Sequence, residues 1–324
     1  MRLVVVGAGA TGGFLGARLA RAGQDVTLVA RGKNLAAMQA QGVRVIEAED
    51  EYVTHPACTD DMDVVGGADV VFLTVKGHAV AGIAQQIGPR LGPATAVVMA
   101  QNGIPYWYFQ GGYAGPLQGA TLRSVDPDGA IAASIAIRRV IGCVVYPATN
   151  LVAPGVVQHV EGTRFTLGEP DGTKSDRCAA IAAALRSARL KAPISTRIRD
   201  ELWLKLLGNV VMNPLSALTR ATLADIATSA ATRGLALAMM AEAGAVAEAL
   251  GVALPVSIEQ RLAGAADVGA HKSSMLQDLE AGRPLEIEPL LGAVIEIGQR
   301  LGRELPHLAT VYACAKLLDR TVRG

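Results

Sequence analysis

The stretch Met1-Arg-Leu-Val-Val-Val-Gly-Ala-Gly-Ala-Thr-Gly-Gly-Phe-Leu-Gly16 decides the fold. An apolar run, Leu3 to Val6, passes directly into a Gly-x-Gly-x-x-Gly turn and then into an amphipathic, helix-forming segment. Each glycine has its own task. Gly7 permits the tight bend, Gly9 lets the backbone come up against a pyrophosphate, and Gly12 lets the helix pack closely on the strand. Phosphate then sits at the helix N-terminus, where N–H groups and the helix dipole favour negative charge. A glycine triad alone is a weak signal that a Gly-rich turn of another α/β fold also gives. The strand before it and the helix after it make Gly7, Ala8, Gly9, Ala10, Thr11 and Gly12 a candidate dinucleotide-binding loop.

The next strand refines the cofactor. Gly23 stops the first helix, and Asp25-Val-Thr-Leu-Val-Ala-Arg31 reads as the second strand. An NAD site usually has a carboxylate here for the ribose hydroxyls, whereas an NADP site has basic groups for the 2′-phosphate. This strand ends in Arg31, with Lys33 two residues on. A guanidinium can grip a phosphate through two parallel charged hydrogen bonds, so NADPH is the expected cofactor. The bland alternative is that Arg31 and Lys33 are ordinary surface cations.

Outward from this point, apolar runs at Leu3–Val6, Asp25–Ala30, Asp69–Lys76 and Ala96–Ala100 alternate with helical patterns, which predicts a parallel sheet covered on both faces. Residues 104–138 interrupt the alternation with Asp126-Pro-Asp-Gly129 and a Gly-rich stretch, and read as a long insertion or hairpin near the ligand crevice. Strands return at Arg139–Tyr146, Val156–Val160 and Arg164–Leu167, before a helix over Ser175–Arg189. From about Arg197 the pattern is helical, with helices expected at about 198–212, 232–250, 274–281, 286–301 and 307–321. The expected organisation is therefore α/β: an N-terminal Rossmann-type, doubly wound domain over residues 1–196 and a C-terminal all-helical domain over residues 197–324.

Composition narrows the function classes. A chain of 324 residues, 51% of them hydrophobic, can bury a large core in two domains. A formal net charge of +1, scattered basic residues and 4% aromatics argue against a nucleic-acid binder. Cys58, Cys143, Cys178 and Cys314 stand far apart, which suits neither a zinc site nor a disulfide framework and fits a reducing cytoplasm. No metal-ligand spacing occurs among the five histidines. The N-terminal run is a strand rather than a signal peptide, and the Ala-rich segment 234–251 carries Glu242 and Glu248, so no membrane association is expected. Oligomeric state leaves no mark on the sequence, and a homodimer is compatible with it.

The second informative stretch is Asp200-Glu-Leu-Trp-Leu-Lys-Leu-Leu-Gly-Asn-Val-Val-Met-Asn-Pro-Leu-Ser-Ala-Leu218. Lys205, Asn209 and Asn213 recur every four residues and so form one helical stripe about 12 Å long. An ammonium and two amides on an otherwise apolar helix are costly in a core unless something binds there; a solvent-facing stripe is the alternative. Pro214 is expected to kink or end this helix. Lys76 ends a strand at the sheet's carboxyl edge, where ligands of doubly wound folds bind, and a surface lysine is again the alternative.

In order along the chain, Gly7-Ala-Gly-Ala-Thr-Gly12, Arg31, Thr74-Val-Lys76, Gln101-Asn-Gly103, Leu202-Trp-Leu-Lys-Leu206, Asn209, Asn213-Pro214, Ser273-Ser-Met-Leu-Gln-Asp278 and Glu286 make a more specific pattern than the glycine turn. The chain resembles the ketopantoate reductases (2-dehydropantoate 2-reductases) over essentially its full length. The resemblance implies NADPH-dependent reduction of a 2-oxo acid to a 2-hydroxy acid. It implies Lys205 as general acid, Asn102 beside nicotinamide and substrate, Asn209, Asn213 and Ser274 as substrate ligands, and Glu286 as the carboxylate of the site. The chemistry suits these roles, because hydride attack builds negative charge on the ketone oxygen, which an ammonium can stabilise and protonate. Simpler readings stand beside two of them: Ser274 with Gln277 fits a helix capping box, and Glu286 would favour a helix first turn through the dipole.

The pattern also departs from the family. His271 stands where several members have Asn, and Ile287-Glu-Pro-Leu-Leu-Gly292 replaces a run close to Ile-Asp-Tyr-Ile-Asn-Gly. The segment Tyr106 to Ala136 is longer than in compact members. These changes fall on the expected pocket edge, so two alternatives stay open: a paralogue reducing another branched or bulky 2-oxo acid, and an NADP-sensing protein without turnover. The intact set of Lys205, Asn209 and Glu286 argues against the second.

Overall fold

The computed structural model describes residues 1–267 and 269–323. The chain forms two compact units: one of Met1–Gln101, Gln110–Gly112 and Gly129–Ile198, the other of Asn102–Phe109, Tyr113–Asp128 and Arg199–Gly324.

The strands of the first unit are β1 (Arg2–Val6), β2 (Asp25–Val29), β3 (Val43–Ile46), β4 (Glu51–Thr54), β5 (Ala57–Thr59) and β6 (Val70–Leu73). They continue with β7 (Ala96–Met99), β8 (Val140–Val145), β9 (Ala148–Ala153), β10 (Val156–Glu161) and β11 (Phe165–Gly168). Its α-helices are α1 (Ala10–Arg21), α2 (Gly32–Gln41), α3 (Val80–Ile87), α4 (Ala130–Ser134) and α5 (Asp176–Ser187). The main sheet has the order β11-β8-β7-β6-β1-β2-β5, parallel from β8 to β5, with β11 antiparallel to β8. This is the doubly wound arrangement expected from the alternation. Every residue of β6, β7 and β8 is buried, as a sheet covered on both faces requires. The order of succession reverses between β1 and β6, and the crevice at the carboxyl ends of those two strands is where such sheets bind ligands.

A second sheet, β4-β3-β10-β9, was not foreseen apart from β10. Its strands β3 and β4 are four residues each and mix charge with β-branched residues, too short to show a period of two. It lies against α1: Phe14 stacks on His159 with ring centroids 4.4 Å apart, and the Thr11 and Thr149 hydroxyls are 3.4 Å apart.

The second unit is helical: α6 (Ile198–Thr219), α7 (Leu223–Thr228), α8 (Ala230–Ala249), α9 (Ile258–Asp267), α10 (Ser274–Glu280), α11 (Ala293–Arg300) and α12 (Pro306–Arg323). Two expectations need correcting. Pro214 does not end α6, which runs on to Thr219; Val210, Val211, Met212, Leu215 and Ala217 are buried around it, and their burial outweighs one lost backbone bond. The helix expected over 286–301 runs without a gap from Ile287 to Arg300, but its first part, Glu288–Gly292, is a wide π turn ahead of α11. Pro289 lies in the first turn after Ile287, where its missing N–H has no helical carbonyl to lose. Helices α7 and α9 were not anticipated.

The segment 104–138 is not a hairpin: among the described residues it holds turns and the short α4, with no strand. Tyr106, Trp107, Tyr108 and Phe109 are buried in succession, a pattern that a half-exposed hairpin strand cannot satisfy. No helix among the described residues is long and apolar enough to cross a membrane.

Candidate active site

In the first unit, parallel register brings the expected cofactor residues to one edge of the sheet. Val6 pairs with Val29 on one side and with Leu73 on the other, so the turn after β1, Arg31 after β2 and Lys76 after β6 leave the sheet together. Gly7 has φ +102°, a conformation only glycine adopts cheaply, and its N–H and that of Ala8 donate to the Val29 carbonyl at 3.1 and 3.0 Å. A Cβ at Gly12 would collide with the Gly7 carbonyl and the Thr74 hydroxyl. A Cβ at Gly9, by contrast, would meet nothing nearer than the Gly7 carbonyl at 4.0 Å, so this backbone lies open to approach. No side chain caps the N-terminus of α1, and its first turn carries no acid. Open backbone at Gly9, close packing at Gly12 and an uncapped helix end fit a pyrophosphate.

Thr74 and Gln101, quoted in the sequence only as part of the family pattern, and Asn34, which was not singled out, hold this turn. The Thr74 hydroxyl donates to the carbonyls of Val6 (3.1 Å) and Gly7 (2.9 Å). Asn34 donates from Nδ2 to the Ala8 carbonyl at 2.6 Å and accepts at Oδ1 from the Gly155 N–H at 2.8 Å, tying the turn to the second sheet. Gln101 Nε2 donates to the Leu73 carbonyl at 2.5 Å, joining the ends of β6 and β7. Thr74 and Gln101 follow the ends of β6 and β7, whereas Asn34 lies in the first turn of α2. Arg31 and Lys33 are exposed, and Lys76 is half-buried at the start of a 3₁₀ turn.

In the second unit, the contact that joins two expected site residues is Lys205 Nζ donating to Asn102 Oδ1 at 2.7 Å. Lys205 and Asn209 are half-buried and Asn213 is 6% exposed, so the stripe is not the solvent-facing one that was the alternative. Its helix is fixed by apolar neighbours: Leu202, Trp203, Leu206, Leu207, Val210 and Val211 are buried. Trp203 Nε1 donates to the Tyr108 hydroxyl at 2.7 Å, and Arg199 Nε donates to the Tyr108 carbonyl at 2.7 Å. The Arg199 guanidinium also lies 5.5, 5.7 and 5.2 Å from the ring centres of Trp107, Tyr108 and Tyr113. Burial pushes the Tyr108 phenol above its ordinary range, so it stays neutral. These contacts clamp Trp107, Tyr108 and Tyr113 onto the helix that carries Lys205.

The remaining expected residues fall as follows. Glu286 is buried at 8% exposure and stands directly before the helical segment that starts at Ile287, a position where the helix dipole also favours a carboxylate. Ser274 is exposed as the first residue of α10, and the capping role suggested for it belongs to Ser273, whose side chain accepts from the Leu276 N–H at 3.1 Å. Gln277 Nε2 donates to the Lys272 carbonyl, outside a capping box. His271 is half-buried, and its carbonyl accepts from the Leu223 N–H at 3.0 Å.

A further anchor bears on pH. Glu296 on α11 accepts from the N–H groups of Arg123 (3.0 Å) and Ser124 (2.8 Å) and from the Ser124 hydroxyl (2.7 Å). Burial pushes its carboxyl up, but the hydrogen bonds from Ser124 and Arg123 together with Arg300 pull it to a net position below the ordinary 4.5. A lowered folded-state pKa gives stability that is complete above the unfolded value and is lost as pH falls through the folded one. Glu296→Gln is therefore expected to melt below wild type at pH 7, with the gap shrinking as pH falls below about 4.5. A gap independent of pH in thermal melts would show that the charge contributes nothing.

The family model for ketopantoate reductase PanE/ApbA matches residues 3–172, and the model for the C terminal part of the same family matches residues 197–319. The 2-dehydropantoate 2-reductase of Mesorhizobium japonicum is 48% identical over 98% of this chain and 98% of its own length. Among solved structures, a Ralstonia solanacearum protein assigned as a ketopantoate reductase is 43% identical, with a TM-score of 0.93 over 100% of this chain and 98% of that one. The 2-dehydropantoate 2-reductase of Methylococcus capsulatus is 30% identical, with a TM-score of 0.81 over 100% of this chain and 98% of that one.

Proposed function

The chain belongs to the ketopantoate reductase family, and from that premise we propose that it catalyses the NADPH-dependent reduction of 2-dehydropantoate (ketopantoate) to pantoate. The observation that carries the reading is the ammonium of Lys205 held at 2.7 Å by the Asn102 amide on a partly buried, otherwise apolar helix. Lys205 donates the proton to the ketone oxygen as charge develops there, and Asn102 Oδ1 keeps the ammonium oriented without adding charge. Asn209, Asn213 and Ser274 bind the substrate's polar groups, their amides and hydroxyl serving as donors to its carboxylate. Glu286 accepts from the substrate hydroxyl. When bound, the nicotinamide supplies the hydride; Gly7, Ala8, Gly9, Ala10, Thr11 and Gly12 hold the pyrophosphate, Arg31 the 2′-phosphate, and Lys76 and Asn102 the nicotinamide side. We place the enzyme in the cytoplasm, a reading that its free thiols support.

Cofactor choice tests the Arg31 assignment. Arg31→Ala is expected to raise the KM for NADPH by roughly ten- to a hundredfold, the scale of a charged hydrogen bond worth about 1.5–3 kcal/mol, and to leave the KM for NADH nearly unchanged. Equal effects on both cofactors would remove Arg31 from the 2′-phosphate site. The second reading, a paralogue for another branched or bulky 2-oxo acid, draws on the Pro289 turn and on His271, both of which depart from the family pattern. Single-turnover consumption of NADPH with a panel of 2-oxo acids separates the two readings, and no consumption with any of them overturns both.

A further inference from the structure

The amide that meets Lys205 sits on a backbone held by the π turn of the same unit. Gly103, next to Asn102, has φ +88°, and a Cβ there would collide with the Pro289 carbonyl. The N–H of Ile104, which is buried, donates to that same carbonyl at 2.9 Å. Residues 102–104 are thus pressed onto one peptide group of the turn, with no side chain between them.

The turn itself is tied down from its other side. The Glu288 carboxylate accepts from the Tyr312 hydroxyl at 3.0 and 3.1 Å and from Lys316 Nζ at 2.5 Å, both on α12. Gly292 leaves room for this carboxylate, since a Cβ there would strike Glu288 Oε2. A continuous set of contacts therefore runs from α12 through Glu288 and the Pro289 carbonyl to Gly103, Ile104, Asn102 and Lys205. In an ordinary α-helix the carbonyl of residue 289 would point along the axis to residue 293. In a π bulge the local backbone is rewound and a carbonyl can be redirected to an outside donor.

We propose that the Glu288–Gly292 turn is a positioning element for the reaction: its Pro289 carbonyl fixes the Gly103–Ile104 backbone and so holds Asn102 where it accepts from Lys205. This rests on the assignment of Lys205 as the proton donor. Glu288, Pro289 and Gly103 act on the chemistry through Asn102, with no contact of their own to substrate. Displacement of a catalytic group by about 1 Å can cost on the order of a hundredfold in rate, so even partial loosening is measurable.

The test is a coupling experiment on the whole enzyme with NADPH and ketopantoate. Gly103→Ala is expected to lower kcat by about tenfold or more with little change in NADPH affinity. In an Asn102→Ala background it should have almost no further effect on kcat, because the amide it displaces is gone. Glu288→Ala, at a partly exposed site, should show the same pattern with a smaller loss, and it decides the matter if Gly103→Ala does not fold. A merely structural role would instead reduce kcat by the same factor in both backgrounds. That outcome, or wild-type kcat in folded Gly103→Ala and Glu288→Ala, overturns the proposal. Lys205→Ala, measured alongside, keeps the two readings apart: if it turns over normally the proton-donor assignment itself fails, and if it is impaired while the turn variants are uncoupled, only the positioning role fails.

Discussion

Lys205→Ala is expected to lower kcat by at least about a hundredfold, the usual scale for removal of a general acid, while NADPH still binds. The hydride acceptor becomes an alkoxide unless a proton reaches its oxygen, and within the second unit Lys205 is the expected site residue whose ammonium is already ordered, by Asn102 at 2.7 Å. The phosphates of the cofactor are assigned to the first unit, around Gly7–Gly12 and Arg31, so its affinity should change little. Lys205→Arg should recover little, because a guanidinium holds its proton at neutral pH and its fork needs more room than one amide oxygen supplies. Asn102→Ala should fall between wild type and Lys205→Ala, since the ammonium remains but loses its partner. The measurement is kcat by NADPH absorbance with NADPH affinity by fluorescence titration. Near-normal turnover in Lys205→Ala would falsify the assignment.

What could be read from the sequence divides along physical lines. The glycine turn was legible because each of its residues answers a steric demand that only glycine meets: the positive φ at Gly7 and the collision that a Cβ at Gly12 would make. Fully buried strands such as Val70–Leu73 and Val140–Val145 declared themselves as apolar runs, and the sheet followed from their alternation with helices. The stripe Lys205, Asn209, Asn213 was legible through its spacing. Contacts between distant segments were not. Nothing near Asn102 announces that it meets Lys205, 103 residues on, or that Glu296 reaches the N–H groups of Arg123 and Ser124. The β3–β4 strands are too short for periodicity, and Pro214 misled because propensity counts one lost hydrogen bond but not the buried neighbours that keep α6 intact. Pro289, quoted in the sequence only as part of a departure from the family run, lies inside a π turn that no periodicity announced.

Wild-type enzyme is expected to prefer ketopantoate strongly over its deoxy analogue 2-oxo-3,3-dimethylbutanoate, and Glu286→Ala is expected to lose most of that preference. The two substrates share the ketone, the carboxylate and the quaternary carbon and differ in one primary hydroxyl. Glu286, 8% exposed, is the residue assigned to accept from that hydroxyl. A site built to hydrogen-bond a substrate hydroxyl can reject an analogue lacking it by roughly 10⁴–10⁵ in kcat/KM, because the hydrogen bond that the site is built to accept is lost. A contact that is purely apolar would give only about ten- to two-hundredfold for a change of one methylene's size. The magnitude therefore distinguishes recognition of the hydroxyl from mere filling of space. In Glu286→Ala the ketopantoate rate should fall while the deoxy rate holds, since the deoxy acid has no hydroxyl for the carboxylate to accept from. The wild-type ratio also decides the substrate: Pro289 replaces the usual residue in the turn that follows Glu286, and a reshaped pocket could keep the Lys205 chemistry while abandoning the hydroxyl. Equal kcat/KM for the two acids in wild-type enzyme would move the substrate from ketopantoate to another branched or bulky 2-oxo acid.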